Sequence, residues 1–537
     1  MGPIVRSRVF KNAYRDSVEL MRIAAELERL PGVTRAGMMM ATPANREVLV
    51  DAGLLHPAAA GAGPSDLIVA VAAADEPAAM GALERATALL ADSGQAHPSA
   101  ERARVAATIH EALVELPTAN LVLVSTPGPY ATAEALKALK RGLHVFLFSD
   151  NVPVSDEIEL KRLGERKGLL VMGPDCGTAI IDGIPLGFAN VVRRGRIGLI
   201  GASGTGLQQV SCLIDRLGEG ISQAIGVGGR DLDERVGGRM TLAALRRLTA
   251  DEGTAAIVLI SKPPAPAVAQ HVLAEARGCQ KPVVANFLGG DDRGGEAAVV
   301  LSAETFEDAA RAAVALVRGV PPQGGAPGDG TPEGRDPARR REFRLAPEQD
   351  AIRGLYCGGS LAGEAKLILH RLLGEPSARN YSVIDLGDDE YTVGRLHPMI
   401  DPRLRNQFIV DAARDPQTAV ILLDVVLGYN AHPDPAGALV PALEEARREA
   451  GRGGRQLAVV ASVCGTPTDP QDLGRQEACL ESAQVFLAPS NAQAARLAAC
   501  LVGAIGPTMQ TGAPVGLDPH RTGGTPNAPR DSHGDGG

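Results

Sequence analysis

The chain has 537 residues, too many for one hydrophobic core, and a prior of about 100–200 residues per domain predicts three or four domains. Its 45% hydrophobic and 22% charged residues are those of a folded globular protein, and 54 basic against 63 acidic side chains give a net charge of -9, which excludes an overall positive field for a nucleic-acid backbone. The lack of tryptophan excludes a base-stacking platform, no stretch reaches the roughly 20 apolar residues of a membrane span, and no apolar leader opens the chain, so a cytoplasmic protein with no nucleic-acid or membrane partner is expected.

In chain order, VRSRVF, Ser17–Arg29, TRAGMMMA, Ala44–Ala52, DLIVAVAA and Pro77–Ala91 alternate apolar runs with helical stretches, the rhythm of an open α/β layer over residues 1–100. An alanine-rich polar connector follows near Asp92–Arg104. ANLVLVSTPGPYATAEALKALKRGLHVFLFSD then reads as a βαβ unit with parallel strands, and GLLVMGPDCGTAI as a strand ending in a glycine turn, giving a second domain at 101–191. A new set of strands starts near Val192 with GRIGLIGASGTGLQQV and runs through ISQAIGVGGRDL, AAIVLISKPP and KPVVANFLGG, a third domain at 192–318. Residues 319–344 read as a glycine-, proline- and charge-rich linker, 345–505 as a further αβ series, and 506–537 as a disordered tail. IGLIGASGTGLQQV and IRGLYCGGSLAGEA share one plan, a short strand that ends in small residues and opens a helix, so the chain carries a duplicated ligand-binding half.

Those two turns are the first candidate sites. Glycine allows close backbone approach, and the unbonded amides of a helix start attract negative charge, so Ser203, Gly204, Thr205 and Gly206, with Gly358, Gly359 and Ser360, can bind a phosphate or a carboxylate; Ser203 and Thr205 can equally be simple helix caps. Gly228, Gly229 and Arg230 end another strand, where the guanidinium can fork onto an anion or merely pair with Asp231. Asp175, Cys176 and Gly177 sit at a strand terminus, where α/β ligands bind, although no neighbour activates Cys176. The densest set of catalytic residue types is Asp385–Glu390 followed by Gly394–Asp401. There Asp388, Asp389 and His397 can orient a reacting amide, bind a metal or form a charged loop. None of the seven cysteines has metal-ligand spacing, and no metal is expected.

With these residues in view, the chain resembles the FdrA family, relatives of succinyl-CoA synthetase, through FSDNVP, LLVMGPDCGTAI, IGASGTG, GVGGRDL, SKPP, VIDLGDDEYTVGRLHPMIDP and LLDVVLG, over about residues 5–503. The resemblance implies a multidomain α/β fold: a Rossmann-like CoA-binding domain at 101–191 and two flavodoxin-like synthetase-type domains. It places Asp175–Gly177 beside CoA and aims both helix starts at one phosphoryl group. CoA is the one cofactor it implies. The residues after KPVVANFLGG, Asp291–Glu296, contain no relay histidine, and no ATP-grasp-sized segment is left, so no nucleoside triphosphate site is expected. By the same resemblance, the expected function is that of the large subunit of an oxamate carbamoyltransferase. It would act on carbamoyl phosphate and oxamate or oxalurate with two smaller companion subunits, Arg230 steadying the anionic substrate. The alternatives are an acyl-CoA ligase subunit that borrows an ATP-grasp partner and a non-catalytic CoA- or phosphate-binding protein.

Overall fold

The computed structural model describes residues 3–13, 15, 17–92, 106–290, 300–321, 344–376, 380–392 and 396–503. The expected connector beyond Asp92, Asp291–Glu296, most of the linker, Gly394–Arg395 and the tail lie outside them. Four sheets carry the chain, each covered by helices.

In the first domain, β3 (Leu67–Ala73) is buried along its whole length because its alternate residues face two different cores. Leu67, Val69 and Val71 pack against α1 (Ser17–Leu27) and α3 (Glu76–Asp92), while Ile68, Ala70 and Ala72 meet Leu49 of α2 (Pro43–Asp51) together with Leu54 and Ala59. A strand apolar on both faces takes the centre of a sheet, and β3 lies between β1 (Ile4–Phe10) and β2 (Val33–Met40), antiparallel to both. This split β-α-β arrangement shares the rhythm of a parallel layer and differs from it only in pairing.

The second sheet is small and parallel, in the order β4 (Leu121–Val124), β5 (His144–Leu147), β6 (Val171–Met172), with α5 (Gly128–Lys140) and α6 (Val154–Lys167) as crossovers. The third has five parallel strands, β9 (Arg194–Ala202), β10 (Ile221–Gly226), β11 (Ala256–Ser261), β12 (Val283–Phe287) and β13 (Val300–Ser302). Its edge is finished by an antiparallel hairpin, β7 (Thr178–Ile181) and β8 (Ile184–Gly187). That hairpin precedes Val192, so the expected domain boundary passes through a sheet, with Ala224 paired to Ile180 across it.

The fourth sheet is wholly parallel, in the order β15 (Tyr381–Asp385), β14 (Ala351–Tyr356), β16 (Thr418–Val426), β17 (Ala458–Cys464), β18 (Phe486–Ala488). It shares one core with the third sheet: Val210, Ile214 and Phe306 from one side join Ile352, Leu361 and Leu369 from the other. Polar bonds also cross that contact. Asp469 accepts from Asn190 Nδ2 at 2.8 Å and from the Val191 amide at 2.7 Å, and Asn190 Nδ2 also reaches the Leu427 carbonyl at 2.9 Å. The Arg216 guanidinium donates to the carbonyls of Gly465, Pro489 and Val463.

Candidate functional site

Parallel strands present their carboxyl ends on one side, and ligands of open α/β sheets gather there. Here the carboxyl ends of the third and fourth sheets open two helices toward one another: α7 (Gly204–Arg216) after β9 and α11 (Gly359–Leu373) after β14. Ser203 caps α7, its Oγ accepting the Gly206 amide at 3.0 Å, and donates to Ser360 Oγ at 2.6 Å. The Ser360 amide in turn donates to Thr205 Oγ1 at 3.3 Å. Both serines are buried and bonded to one another, which leaves no room between their hydroxyls; beside them the first-turn amides of Gly204, Thr205 and Gly359 make no intrahelical bond.

The second helix start differs from the sequence expectation. The Gly358 amide donates to Asp424 Oδ2 at 2.8 Å and the Cys357 amide to Asp424 Oδ1 at 2.9 Å, so Gly358 has no amide left to offer a phosphate. Asp424 is fully buried. Burial pushes its carboxyl up, opposed by the Arg405 guanidinium at 3.1 Å and by the two amides. Gly359 is needed for space, since a Cβ there would collide with Asp385 Oδ2 and lie 3.6 Å from Lys262 Nζ.

The turn carrying Asp175, Cys176 and Gly177 packs on the start of α7. Gly177 Cα lies 3.8 Å from where a Cβ on Gly204 would stand, and Thr178 Oγ1 lies 3.5 Å from it. Gly228, at φ +84°, abuts the backbone of Gly173 and Pro174, and Gly229 faces Asp175. Asp175 is exposed as a residue, with Asp150, Asp389, Lys262 and Arg230 as its charged neighbours. Burial first, then repulsion from Asp150 and Asp389, pushes its carboxyl up to about 6, against the pull of Lys262 and Arg230. Cys176 is fully buried and pushed up to about 12 by that burial, which removes it as a nucleophile at neutral pH.

Arg230 stands at the edge with its guanidinium already engaged, Nε on Glu157 Oε2 at 2.9 Å and Nη2 on the Val152 carbonyl at 2.8 Å. Glu157 also holds the buried Lys161, whose three donors reach Glu157, Asp231 and the Val227 carbonyl, so this network fixes the 226–231 turn. Asp388 is exposed and accepts the Glu390 amide at 3.3 Å, starting the short helix α12 (Asp389–Thr392). Asp389 is raised by burial and by Asp150 and Asp388. His397 lies against Gly387, on which a Cβ would collide with Nε2; burial and then the Arg405 charge hold its imidazole down to about 4.

The structure thus brings the 175–177, 203–206, 228–230 and 358–360 candidates, with Asp388, Asp389 and His397, together at the carboxyl ends of the third and fourth sheets, the space between them being the candidate cleft. Sequence reasoning did not single out Lys262, Asp424 or Arg405, and it named Asp385 only as part of the acidic stretch, without a role. For Asp424 a signal existed: a carboxylate inside the otherwise apolar run of β16, every residue of which is buried, demands a partner.

Comparison with known proteins sorts these parts. A CoA-ligase family model matches residues 355–501, a CoA binding domain model residues 192–289, and a model described as AllF, heavy metal-associated domain, residues 4–106. The CoA-binding match falls on the segment expected to be synthetase-like, not on 101–191. The chain is 42% identical over 510 residues to the protein YahF of Escherichia coli strain K12, covering 91% of this chain and 96% of that one. The chain belongs to the YahF family. The chain shares a smaller region with succinate–CoA ligases. The α-2 subunit of Trichomonas vaginalis is 29% identical over 155 residues, 28% of this chain and 49% of that protein, and the α subunit 2 of Archaeoglobus fulgidus is 28% identical over 148 residues, 27% and 50%. The chain therefore spans about half the length of these ligase subunits. A dinucleotide-forming acetyl-coenzyme A synthetase 1 of Ca. Korarchaeum cryptofilum, solved with phosphate and ADP, aligns at a TM-score of 0.31 and 15% identity over 72% of this chain and 82% of that one.

Two groups implied by these families can be tested against the residues. A heavy metal does not fit the first domain: residues 4–106 contain no cysteine, His56 caps a short 3-10 turn through Nδ1, and no group of metal-ligating side chains occurs among the described residues. For CoA, the Thr126 hydroxyl at the carboxyl end of β4, outside the 192–289 match, is buried without a hydrogen-bond partner among the described residues and could be satisfied by a polar ligand atom. No described helix is long and apolar enough to cross a membrane.

Proposed function

We propose that the chain is a CoA-ligase-type acyl-transfer subunit that moves an acyl group between CoA and phosphate, with phosphate held beside Ser203 and Ser360. The observation that carries this reading is the 2.6 Å contact between those hydroxyls, which joins the helix start of the CoA-binding-type domain to that of the CoA-ligase-type domain. In this reading a phosphate oxygen attacks the thioester carbonyl, the carbon–sulfur bond breaks, and the thiolate leaves and takes up a proton, giving an acyl phosphate and CoA. First-turn amides hold the phosphate dianion in place for attack and, in the reverse direction, stabilise the charge that develops on phosphate as it leaves the acyl phosphate. CoA, when bound, supplies the thioester; Thr126 and Gly177 would hold its arm. Nucleotide chemistry is left to a partner subunit.

A second reading, carbamoyl transfer between oxalurate and phosphate to give oxamate and carbamoyl phosphate, is favoured by one observation: Asp291–Glu296 carries no histidine to relay a phosphoryl group. The same phosphate position serves both. Purified protein is mixed with succinyl-CoA or with oxalurate, and phosphate is then added. The first reading expects phosphate-dependent release of free thiol, and the second expects carbamoyl phosphate with no thiol. Neither product, with and without its genomic neighbours present, would remove both readings.

A further inference from the structure

Anions are poorly served by the side chains around this cleft. Asp175 and Asp389 are raised by burial first and then by repulsion, from Asp150 and Asp389 at the former and from Asp150 and Asp388 at the latter, and Asp385 is raised by burial and then by Asp424 and Asp388. Against them stand Arg230, committed to Glu157 and the Val152 carbonyl, and Arg405, buried beneath the turn and bonded to Asp424. Lys262 is different. It is exposed and, among the described residues, has no carboxylate within ion-pair distance, yet its charge is felt at both Asp175 and Asp385.

Register explains its position. Ser261 pairs with Ala202 across β11 and β9, so Lys262 leaves the sheet level with Ser203 and reaches across to within 3.6 Å of where a Cβ on Gly359 would stand. Beside the Ser203 and Thr205 contacts, it carries a cation from the third sheet to the helix start of the fourth. We infer that Lys262 is the specificity-determining residue of the cleft, pairing with the phosphate beside the amides of Gly204, Thr205 and Gly359 and shielding it from Asp175 and Asp385. Without this cation the acidic walls repel a dianion. With it, the cleft takes a phosphoryl-type group and rejects neutral analogues. This assignment rests on the functional reading above.

The test is titration calorimetry of the full chain with inorganic phosphate and, separately, with CoA, for wild type, Lys262→Met and Lys262→Arg. Methionine keeps the length of the stem and removes the charge. Because Lys262 is exposed and forms no ion pair among the described residues, both variants should match wild type in thermal unfolding. Phosphate affinity is expected to fall at least tenfold in Lys262→Met and to recover to within about threefold in Lys262→Arg, with CoA affinity unchanged. Equal phosphate binding by wild type and Lys262→Met overturns the role of Lys262 and leaves the functional reading standing. Wild type that binds no phosphate overturns both.

Discussion

His397 is held neutral by two causes that act in the same direction, burial and the Arg405 guanidinium. Its Nδ1 accepts the Met399 amide at 3.2 Å, which assigns the proton of the neutral ring to Nε2, on the side of Gly387. The imidazole therefore titrates near 4 in the folded chain and near 6.5 when unfolded. The unfolded chain binds more protons between those values, so the stability due to the neutral ring is complete above 6.5 and is lost as the pH falls through about 4. Its size is on the order of 3 kcal/mol. Urea unfolding of wild type and His397→Asn at pH 7.5 and 4.5 should show a smaller loss on acidification in the variant; equal losses would relieve His397 of that role. His397, Asp388 and Asp389 drew attention in the sequence because a run of polar residues directly after an apolar strand is costly unless used. Lys262 and Arg405 did not, since a single lysine after a strand and a single arginine on a helix read as surface residues until pairing and burial place them. Gly358 was legible as a turn, but its amide belongs to Asp424, whose strand lies 66 residues further along.

At the scale of elements, the amide groups of helix starts decide how the two large domains meet. Besides the facing pair at Ser203 and Ser360, α10 (Phe306–Arg318) begins at this contact. Thr305 and Asp308 form its capping box, and Glu364 from α11 accepts the Phe306 amide at 2.7 Å and Asn491 Nδ2 at 2.8 Å. Glu364 is fully buried, and that burial pushes it up to about 7 despite both donors. An acid raised in the folded state lends stability that is complete below its unfolded value near 4.5 and is lost as the pH rises through about 7. Two variants separate the charge from the contacts. Glu364→Gln, which cannot ionise, should lose less stability than wild type between pH 5 and 8. Glu364→Ala strands two buried donors and should cost about 2–4 kcal/mol at either pH. Denaturant titrations of the three proteins check both, and a Gln variant with the wild-type pH slope would place the raised group elsewhere. Strands and helices of this kind were readable from period and turn chemistry. What was not readable is pairing: the antiparallel centre of the first domain and the hairpin that closes the third sheet follow from which apolar faces find each other, a property of the folded chain and not of any window of it.

For the whole molecule, the division of the cores sets the number of cooperative units. Residues 4–92 bury their apolar side chains in two clusters of their own, whereas the third and fourth sheets contribute to one. The first domain touches the fourth sheet's side through Arg403 and Glu28, an ion pair at 2.7 Å between partly exposed side chains, which contributes little. Calorimetry of the full chain should therefore show the first domain melting apart from a unit that contains both large sheets. Asp469 is the handle on that unit: it is buried and accepts the amides of Val191 and Thr466 and the side chain of Asn190. Asp469→Ala leaves these donors unpaired and should lower the unit's stability by about 2–4 kcal/mol while the melting of the first domain stays in place. The same variant should weaken phosphate binding, because the cleft exists only while the two helix starts face one another. Both transitions moving together would mean that the first domain folds as part of the larger body, and an intact pair of transitions with unchanged phosphate affinity would mean that the shared core alone, without the Asp469 clamp, keeps Ser203 against Ser360.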